Sequence, residues 1–157
     1  MEYIKLDEFD VVDMCSKMKD AINRANFHPE CIVAILEGGF IPAKNLANLL
    51  SISNMYSVKI KKYDNDGNRL TEGAEIVEHV SDQIRNKRVL VVDDVCETGE
   101  SLNLAINDVK KYTDKVIACV LVAKDNWTKV DLDDIFCPFA RTFKLGTWTR
   151  FYWEDGY

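Results

Sequence analysis

The fold of this chain is decided by the stretch Val89-Leu90-Val91-Val92-Asp93-Asp94-Val95-Cys96-Glu97-Thr98-Gly99-Glu100-Ser101. Its first four residues are apolar without alternation, a pattern typical of a strand buried on both faces of a parallel sheet. Two adjacent carboxylates follow, and a short Thr-Gly-Glu-Ser loop then leads into a predicted helix that begins near residue 100. The stretch therefore predicts polar groups gathered where a buried strand of an α/β fold ends.

The polar residues of this stretch suit a phosphorylated sugar. Asp93 and Asp94 can accept hydrogen bonds from a pair of sugar hydroxyls. Backbone N–H groups of a tight loop at a helix N-terminus bind an anion, and the hydroxyls of Thr98 and Ser101 add two donors. The diol acceptors and the anion donors lie a few residues apart, which matches the span of a ribose 5-phosphate.

The order of these residues resembles the 5-phosphoribosyl-1-diphosphate (PRPP) binding motif of the type I phosphoribosyltransferases. That motif has hydrophobic residues, Asp-Asp, two small or apolar residues, an acid and then Thr-Gly-x-Ser/Thr. The resemblance implies that Asp93 and Asp94 hold the ribose hydroxyls, directly or through hydrated Mg²⁺, the one cofactor implied. Glu97 stands at the position of the family's catalytic acid/base, usually Asp, near N7 of the base. The 5-phosphate loop would comprise Val95, Cys96, Glu97, Thr98, Gly99, Glu100 and Ser101.

Two other families with related motifs do not fit. Response-regulator receivers also carry paired aspartates after an apolar strand, but there the pair ends the first strand of the domain. Here only 63 of the 157 residues follow Asp94, too few for the remaining elements of a receiver. A P-loop is absent as well, because no G-x-x-x-x-G-K-[ST] sequence occurs in the chain.

Length and charge predict the class of the protein. A chain of 157 residues fits a single domain, which we expect to span 1–157. The net charge of −6 gives no basic field for nucleic acid or for an anionic membrane, so we expect neither as a partner. No apolar run approaches the ~20 residues that span a membrane, so we expect neither a membrane span nor a signal peptide.

The cysteines point to a reducing compartment and hence to a cytoplasmic protein. They are odd in number and form no C-x-x-C pair, and with only two histidines in the chain no metal-ligand spacing arises. We expect reduced and mostly buried thiols. The five residues are Cys15, Cys31, Cys96, Cys119 and Cys137.

Hydrophobic periodicity predicts alternating helices and strands along the chain. Helices are expected over 7–25, from near Pro42, and over 100–112; strands are expected over 31–36, 55–63, from residue 89 and over 116–123. This order implies an α/β fold with a doubly wound, mostly parallel sheet flanked by helices, and ligands beyond the carboxyl ends of the strands. Residues 64–75 carry a turn signal and predict a mobile loop that could close over the site.

A second loop at the same edge is Glu37-Gly38-Gly39-Phe40-Ile41-Pro42-Ala43. Paired glycines let a backbone approach a ligand closely, and several N–H groups could face a diphosphate. The loop resembles the diphosphate loop of the purine-type members, usually Arg-Gly-Gly or Lys-Gly-Gly, which implies that role for Glu37, Gly38 and Gly39. Glu37 replaces the basic residue, so either it points away, or magnesium bridges it to the diphosphate, or PRPP binds weakly.

The C-terminal third indicates a flat base as the second ligand. Lys124 ends a buried strand, and aromatic residues cluster in Trp148-Thr149-Arg150-Phe151-Tyr152-Trp153-Glu154. The combination resembles the xanthine-guanine phosphoribosyltransferases, which end in Trp-Ile-x-Phe-Pro-Trp followed by an acid. The resemblance implies a small C-terminal base-binding hood in which Trp148 stacks on the base, the Thr149 carbonyl accepts from a 2-amino group, and Lys124 contacts O6.

The resemblance implies an enzyme of purine salvage that transfers the 5-phosphoribosyl group from PRPP to N9 of a 6-oxopurine. The products would be a purine nucleoside 5′-monophosphate and diphosphate, and the family's habit implies a homo-oligomer, a dimer or tetramer. The alternative is a regulatory module that binds PRPP or a nucleotide with little or no turnover. Glu37 and Glu97 favour this alternative, while Lys124 and Trp148 oppose it. An enzyme for another nucleobase is a third option.

Overall fold

The computed structural model describes residues 3–127 and 135–154. The described elements are three α-helices, eight β-strands and two short 3₁₀ turns at Asp82–Ile84 and Tyr152–Glu154. The helices are α1 (Glu8–Arg24), α2 (Phe40–Leu49) and α3 (Glu100–Lys110). The strands are β1 (Tyr3–Leu6), β2 (Cys31–Leu36), β3 (Met55–Lys61), β4 (Glu75–Glu78), β5 (Val89–Cys96), β6 (Val116–Lys124), β7 (Phe139–Phe143) and β8 (Trp148–Phe151).

Six of these strands form one sheet in the order β4-β3-β2-β5-β6-β7. Every neighbouring pair is parallel except β3 with β4. Strands β2, β5 and β6 lie inside the sheet, and helices cover both of its faces. The sequences of these strands are therefore continuous apolar runs rather than alternating apolar and polar residues. The doubly wound, mostly parallel sheet expected from the sequence is confirmed.

The core is divided by the sheet into two layers. On one face, α1 and α2 pack against alternate residues of the central strands, with Met14, Leu46 and Leu90 buried there. On the other face α3 packs, with Leu102 and Val91 buried. This layering places the beginnings of α2 and α3 at the carboxyl edge of the sheet, directly after β2 and β5.

Three boundaries differ from the sequence prediction. The strand that carries the aspartates does not end at residue 92, because parallel pairing with β6 continues through Asp93 to Cys96. Helix α2 begins at Phe40, so that Pro42 lies in its first turn, where a missing N–H costs nothing. The antiparallel strand β4 was missed, and its first residue, Glu75, belongs to the sheet rather than to the predicted loop.

A second, two-stranded sheet joins the two ends of the described chain. Strand β1 pairs in parallel with β8, so that Tyr3 lies opposite Trp148 and Leu6 lies opposite Phe151. Phe151 is buried, and its ring stacks on Trp153 with centroids 4.4 Å apart. The expected hood therefore contains an N-terminal strand that the sequence did not reveal.

The structure also bears on the expectations about the cysteines and about membrane-spanning helices. All five cysteines are free and buried, as predicted. Within 3–127 and 135–154, no helix combines the length and apolar character that crossing a membrane requires.

Candidate active site

A cavity of about 300 Å³ lies at the carboxyl edge of the sheet, between the ends of β2 and β5. It brings together parts of the chain that the sequence analysis singled out separately. The end of β2 contributes the glycine loop, β5 contributes the acid pair, and α3 contributes the last residue of the predicted 5-phosphate loop. The residues that define the site are Glu37, Gly38, Lys62, Asp93, Asp94 and Ser101.

The acid pair is held in a fixed geometry by the backbone beside it. The backbone N–H of Asp94 donates to Asp93 Oδ1 at 2.9 Å, and that of Val95 donates to Asp94 Oδ1 at 2.7 Å. Burial raises the pKa of both carboxyl groups, and the neighbouring charge of Asp94 raises the pKa of Asp93 further. Two carboxylates in this environment are ready to accept hydrogen bonds from hydroxyls or to face a cation.

Lys62 is a site residue that sequence reasoning missed. It follows the last residue of β3 and borders the same cavity, and its ammonium group lowers the pKa of Asp93 and of Asp94. From the sequence it was one of several lysines on a predicted outer strand. The signal that could have found it is its place just beyond a parallel strand, at the edge where ligands bind.

The two glycines of the predicted diphosphate loop are required by space rather than by backbone angle. A β-carbon on Gly38 would lie 2.3 Å from Asp94 Oδ2. A β-carbon on Gly39 would lie 2.5 Å from the carbonyl oxygen of Val92 and 2.7 Å from that of Ile35. Any side chain here would push the loop off β5, so the glycine pair keeps the loop against the acid pair.

The residue that departs from the family pattern, Glu37, is exposed at the border of the cavity. It also borders a neighbouring cavity of about 480 Å³, which Lys59, Lys61 and Lys62 line as well. Around these two cavities the positive charge therefore lies at the end of β3, and not at position 37, where the family usually has a basic residue.

The predicted 5-phosphate loop passes into α3 at Gly99, which has a φ of +84° and serves as the N-cap. A glycine has no side chain to cap the helix, so the backbone N–H groups of the first turn other than that of Glu100 remain available to a ligand. The Thr98 hydroxyl accepts from the N–H of Glu100 at 3.3 Å. The Ser101 hydroxyl is buried with no hydrogen-bond partner among the described residues.

Cys96 and Glu97, which precede this turn, differ in solvent exposure and in reactivity. Cys96 is buried, and burial raises the pKa of its thiol to about 12, so it is an unreactive packing residue. Glu97 is exposed and is therefore accessible to a ligand above the loop.

The predicted base-binding residues come together at the end of β6. Lys124 is buried, and its Nζ donates to the carbonyl oxygen of Thr147, just before β8. Trp148 is 56% exposed, while the hydroxyl of Thr149 is buried without a partner among the described residues. The sequence identified Lys124 and Trp148 but not Thr147, because a contact through a carbonyl oxygen leaves no trace in the residue type.

One further acid joins the hood to the cavity of the acid pair. Glu154 borders that cavity, and its carboxylate accepts from the N–H of Phe151 at 2.6 Å. The segment that carries Trp148 is therefore fixed beside the acid pair, so that a sugar phosphate and a flat base could bind side by side.

Residues 10–151 match the model of the phosphoribosyl transferase domain. The chain belongs to this family. The match begins within α1 and reaches the last residue of β8, so it includes the acid pair, both loops and strand β8 of the hood. The resemblance drawn from residues 89–101 is confirmed.

Three relatives illustrate the range of this phosphoribosyltransferase family. A protein from Neisseria gonorrhoeae, solved with bound ppGpp, is 25% identical with a TM-score of 0.84, over 99% of this chain and 90% of that one. The purine phosphoribosyltransferase of Pyrococcus horikoshii is 26% identical with a TM-score of 0.76, over 99% and 96%. The transcriptional regulator GfcR of Picrophilus torridus is 27% identical over 113 residues, which are 72% of this chain but only 51% of the regulator.

In this phosphoribosyltransferase domain the segment between β3 and β4 contacts the predicted 5-phosphate loop. The N–H of Ala74 donates to Glu100 Oε1 at 2.6 Å, and Arg69 pairs with the other carboxylate oxygen at 3.3 Å. Asp64 organises the turn itself by accepting from the N–H groups of Asp66 and Asn68. The segment that the sequence predicted as mobile is thus docked on the first residue of α3.

Proposed function

We propose that this protein transfers the 5-phosphoribosyl group from PRPP to N9 of a 6-oxopurine, and so acts as a purine salvage enzyme. The observation that carries the proposal is the single cavity that Gly38, Asp93, Asp94 and Ser101 share, with Glu154 of the hood at its border. Membership of the phosphoribosyltransferase family supports it, and so does the likeness to the Pyrococcus purine enzyme.

PRPP would bind along the carboxyl edge of the sheet. Asp93 and Asp94 accept hydrogen bonds from the ribose hydroxyls, and the loop of residues 95–101 surrounds the 5-phosphate. The backbone N–H groups of Glu37 and Gly38 face the diphosphate, whereas that of Gly39 donates to the carbonyl oxygen of Ile35 at 2.8 Å. Lys62 supplies a positive charge that Glu37 does not, since its ammonium group acts on the acid pair from the same cavity.

The acid pair fits a Mg²⁺ ion. Magnesium binds one or two carboxylates and keeps water and substrate oxygens as its other ligands. Asp93 and Asp94 offer such a pair, and a cation would offset the burial that raises their pKa. No cluster of three or more potential ligands occurs in the described part of the chain, so substrate oxygens and water would complete the shell. Bound Mg²⁺ would neutralise charge on the diphosphate leaving group.

The reaction forms a bond between N9 of the base and the anomeric carbon, and breaks the bond from that carbon to the diphosphate. Trp148 stacks on the base, Lys124 donates to O6, and the Thr149 carbonyl accepts from a 2-amino group when one is present. The Glu97 carboxylate accepts the proton from N7 as N9 forms its bond to the anomeric carbon, so that the purine of the product is neutral. Holding ribose and base in one orientation supplies much of the acceleration.

A second candidate is a regulatory module that binds a guanine nucleotide without turnover. Glu37 favours it, because a carboxylate about 4 Å from an oxygen of the PRPP diphosphate costs ~1 kcal/mol in water and more in a drier site, which would weaken PRPP binding and reduce turnover. The relatives named as a ppGpp-bound protein and as a transcriptional regulator also favour it.

Product formation from PRPP and Mg²⁺ separates the two candidates and identifies the base. Hypoxanthine, guanine, xanthine, adenine and uracil are offered one at a time, and products are identified by chromatography. We expect a monophosphate from 6-oxopurines only, since Lys124 donates toward position 6 and does not suit the 6-amino group of adenine. No product from any base, together with calorimetric binding of ppGpp, would favour the regulatory module.

A further inference from the structure

Among the described residues, three buried polar side-chain atoms lack a hydrogen-bond partner: Ser101 Oγ, Thr149 Oγ1 and Trp127 Nε1. Buried polar atoms in folded proteins nearly always have a partner, so each exception needs an explanation. Ser101 lies in the 5-phosphate loop, and Thr149 lies in the base-binding segment. Two of the three atoms therefore belong to ligand-binding segments already described, and no motif accounts for the third.

Trp127 is held at a defined place beside the 5-phosphate loop. Its backbone N–H donates to the carbonyl of Lys124 at 3.0 Å, which fixes the turn that follows β6. Its ring meets Phe139 of β7 edge-on, with centroids 6.4 Å apart and planes at 69°. A β-carbon on Gly99 would lie 2.7 Å from Trp127 Nε1, so the indole nitrogen rests directly on the N-cap of α3.

We propose that the indole N–H of Trp127 is a further ligand of the 5-phosphate, in addition to the donors of the loop. This inference rests on the proposed function, because it requires a phosphate at the N-terminus of α3. The indole nitrogen is a donor only, so an anion is a suitable partner for it. Ser101 and Trp127 would then be satisfied by the same group, which explains why both lack a partner in the described structure.

The proposal also gives a second reason for a glycine at position 99, in addition to its positive φ. Its φ of +84° already favours glycine, and any side chain would in addition displace the indole nitrogen. The glycine thus lets the ring approach the loop, and the ring shields the phosphate from water on that side. A buried, water-poor setting strengthens a hydrogen bond to a charged acceptor.

Nuclear magnetic resonance of the indole N–H groups tests the contact directly. The chain has three tryptophans, so the spectrum should hold three indole signals, and Trp127→Phe assigns one of them. We expect ribose 5-phosphate to move the Trp127 signal downfield, while ribose without phosphate leaves it in place. An unmoved Trp127 signal, with shifted backbone signals of Gly99 and Ser101, would overturn the inference and leave the proposed function intact.

Affinity provides the second measurement. Loss of one hydrogen bond to a charged group predicts about tenfold weaker binding of ribose 5-phosphate by Trp127→Phe, with unchanged binding of guanine. Trp153→Phe makes the same chemical change at a ring that stacks on Phe151 and serves as the control. Equal affinities in Trp127→Phe and the wild type would overturn the inference. Failure of the wild type to bind ribose 5-phosphate at all would contradict the proposed function as well.

Discussion

Gly38 lies against the carboxylate of Asp94 so closely that a β-carbon on Gly38 would stand 2.3 Å from Asp94 Oδ2. This contact joins the loop after β2 to the acid pair on β5, and so joins the diphosphate and ribose parts of the proposed PRPP site. The contact is possible because glycine has no side chain, so a substitution at Gly38 measures whether the contact matters for ligand binding.

Gly38→Ala should weaken PRPP binding at least tenfold, because the added methyl must displace either the loop or the Asp94 carboxylate. Binding of guanine, which we propose depends on Lys124 and the hood, should change little. Calorimetry with each ligand separates the two effects, and thermal unfolding checks that the variant is folded. Unchanged PRPP affinity would mean that the close contact has no role in binding.

Glu37→Arg should lower the Michaelis constant for PRPP several-fold, since it replaces a carboxylate near the proposed diphosphate position with the basic residue usual in the family. Asp114→Arg, exposed in the turn before β6, changes the net charge equally and serves as the control. An unchanged or higher Michaelis constant in Glu37→Arg would contradict the idea that Glu37 limits binding.

Glu97→Gln should reduce turnover ~10²-fold or more with intact PRPP binding, because the amide cannot exchange a proton with the base. Glu97→Asp, which restores the acid usual in the family, should keep substantial turnover. If steady-state rates barely change in the glutamine variant, Glu97 only shapes the loop.

Asp93→Asn should stabilise the protein at neutral pH while it abolishes PRPP binding. Burial and the neighbouring Asp94 raise the pKa of Asp93, so the folded state holds its proton to higher pH than the unfolded state does. The stability that this proton confers is present at low pH and is lost as the pH rises through the folded-state pKa. Urea unfolding at several pH values measures this, with exposed Asp114→Asn as the control. A variant less stable than the wild type at pH 7 would contradict the account.

PRPP should change the protease sensitivity of residues 62–74, the segment between β3 and β4. In the structure this segment is docked on α3 through Glu100, and Glu100→Ala should make it more sensitive because two contacts are lost. Limited proteolysis followed by mass spectrometry locates the cuts. Equal cutting of the wild type with and without PRPP would count against closure over the site.

Much of the fold could be predicted because local sequence and tertiary structure agree over residues 31–36 and 89–101. The apolar runs are buried on both faces, and the glycines mark the loops that follow them. Strand β1 was not predictable, since its four residues are ordered by pairing with β8 at the other end of the chain. Strand β4, also four residues long, is too short for its alternation to stand out.

The site residues likewise include some that the sequence predicted and others that it did not. Asp93, Asp94 and Lys124 were found because their residue types are unusual at the ends of buried strands. Lys62 and Trp127 were missed, because their relevance depends on which strands and loops lie side by side. Such proximity across the sheet edge is a property of the tertiary structure.

The central claim is that PRPP and a purine react in the cavity beside Asp94. The most direct measurement is the yield of nucleoside monophosphate and diphosphate from PRPP and Mg²⁺, with hypoxanthine, guanine and xanthine offered separately, in the wild type and in Asp94→Asn. The account predicts equal amounts of the two products in the wild type with at least one of these bases, and their loss in the variant. Diphosphate without a monophosphate, or neither product from any of the three bases despite PRPP binding, would contradict it.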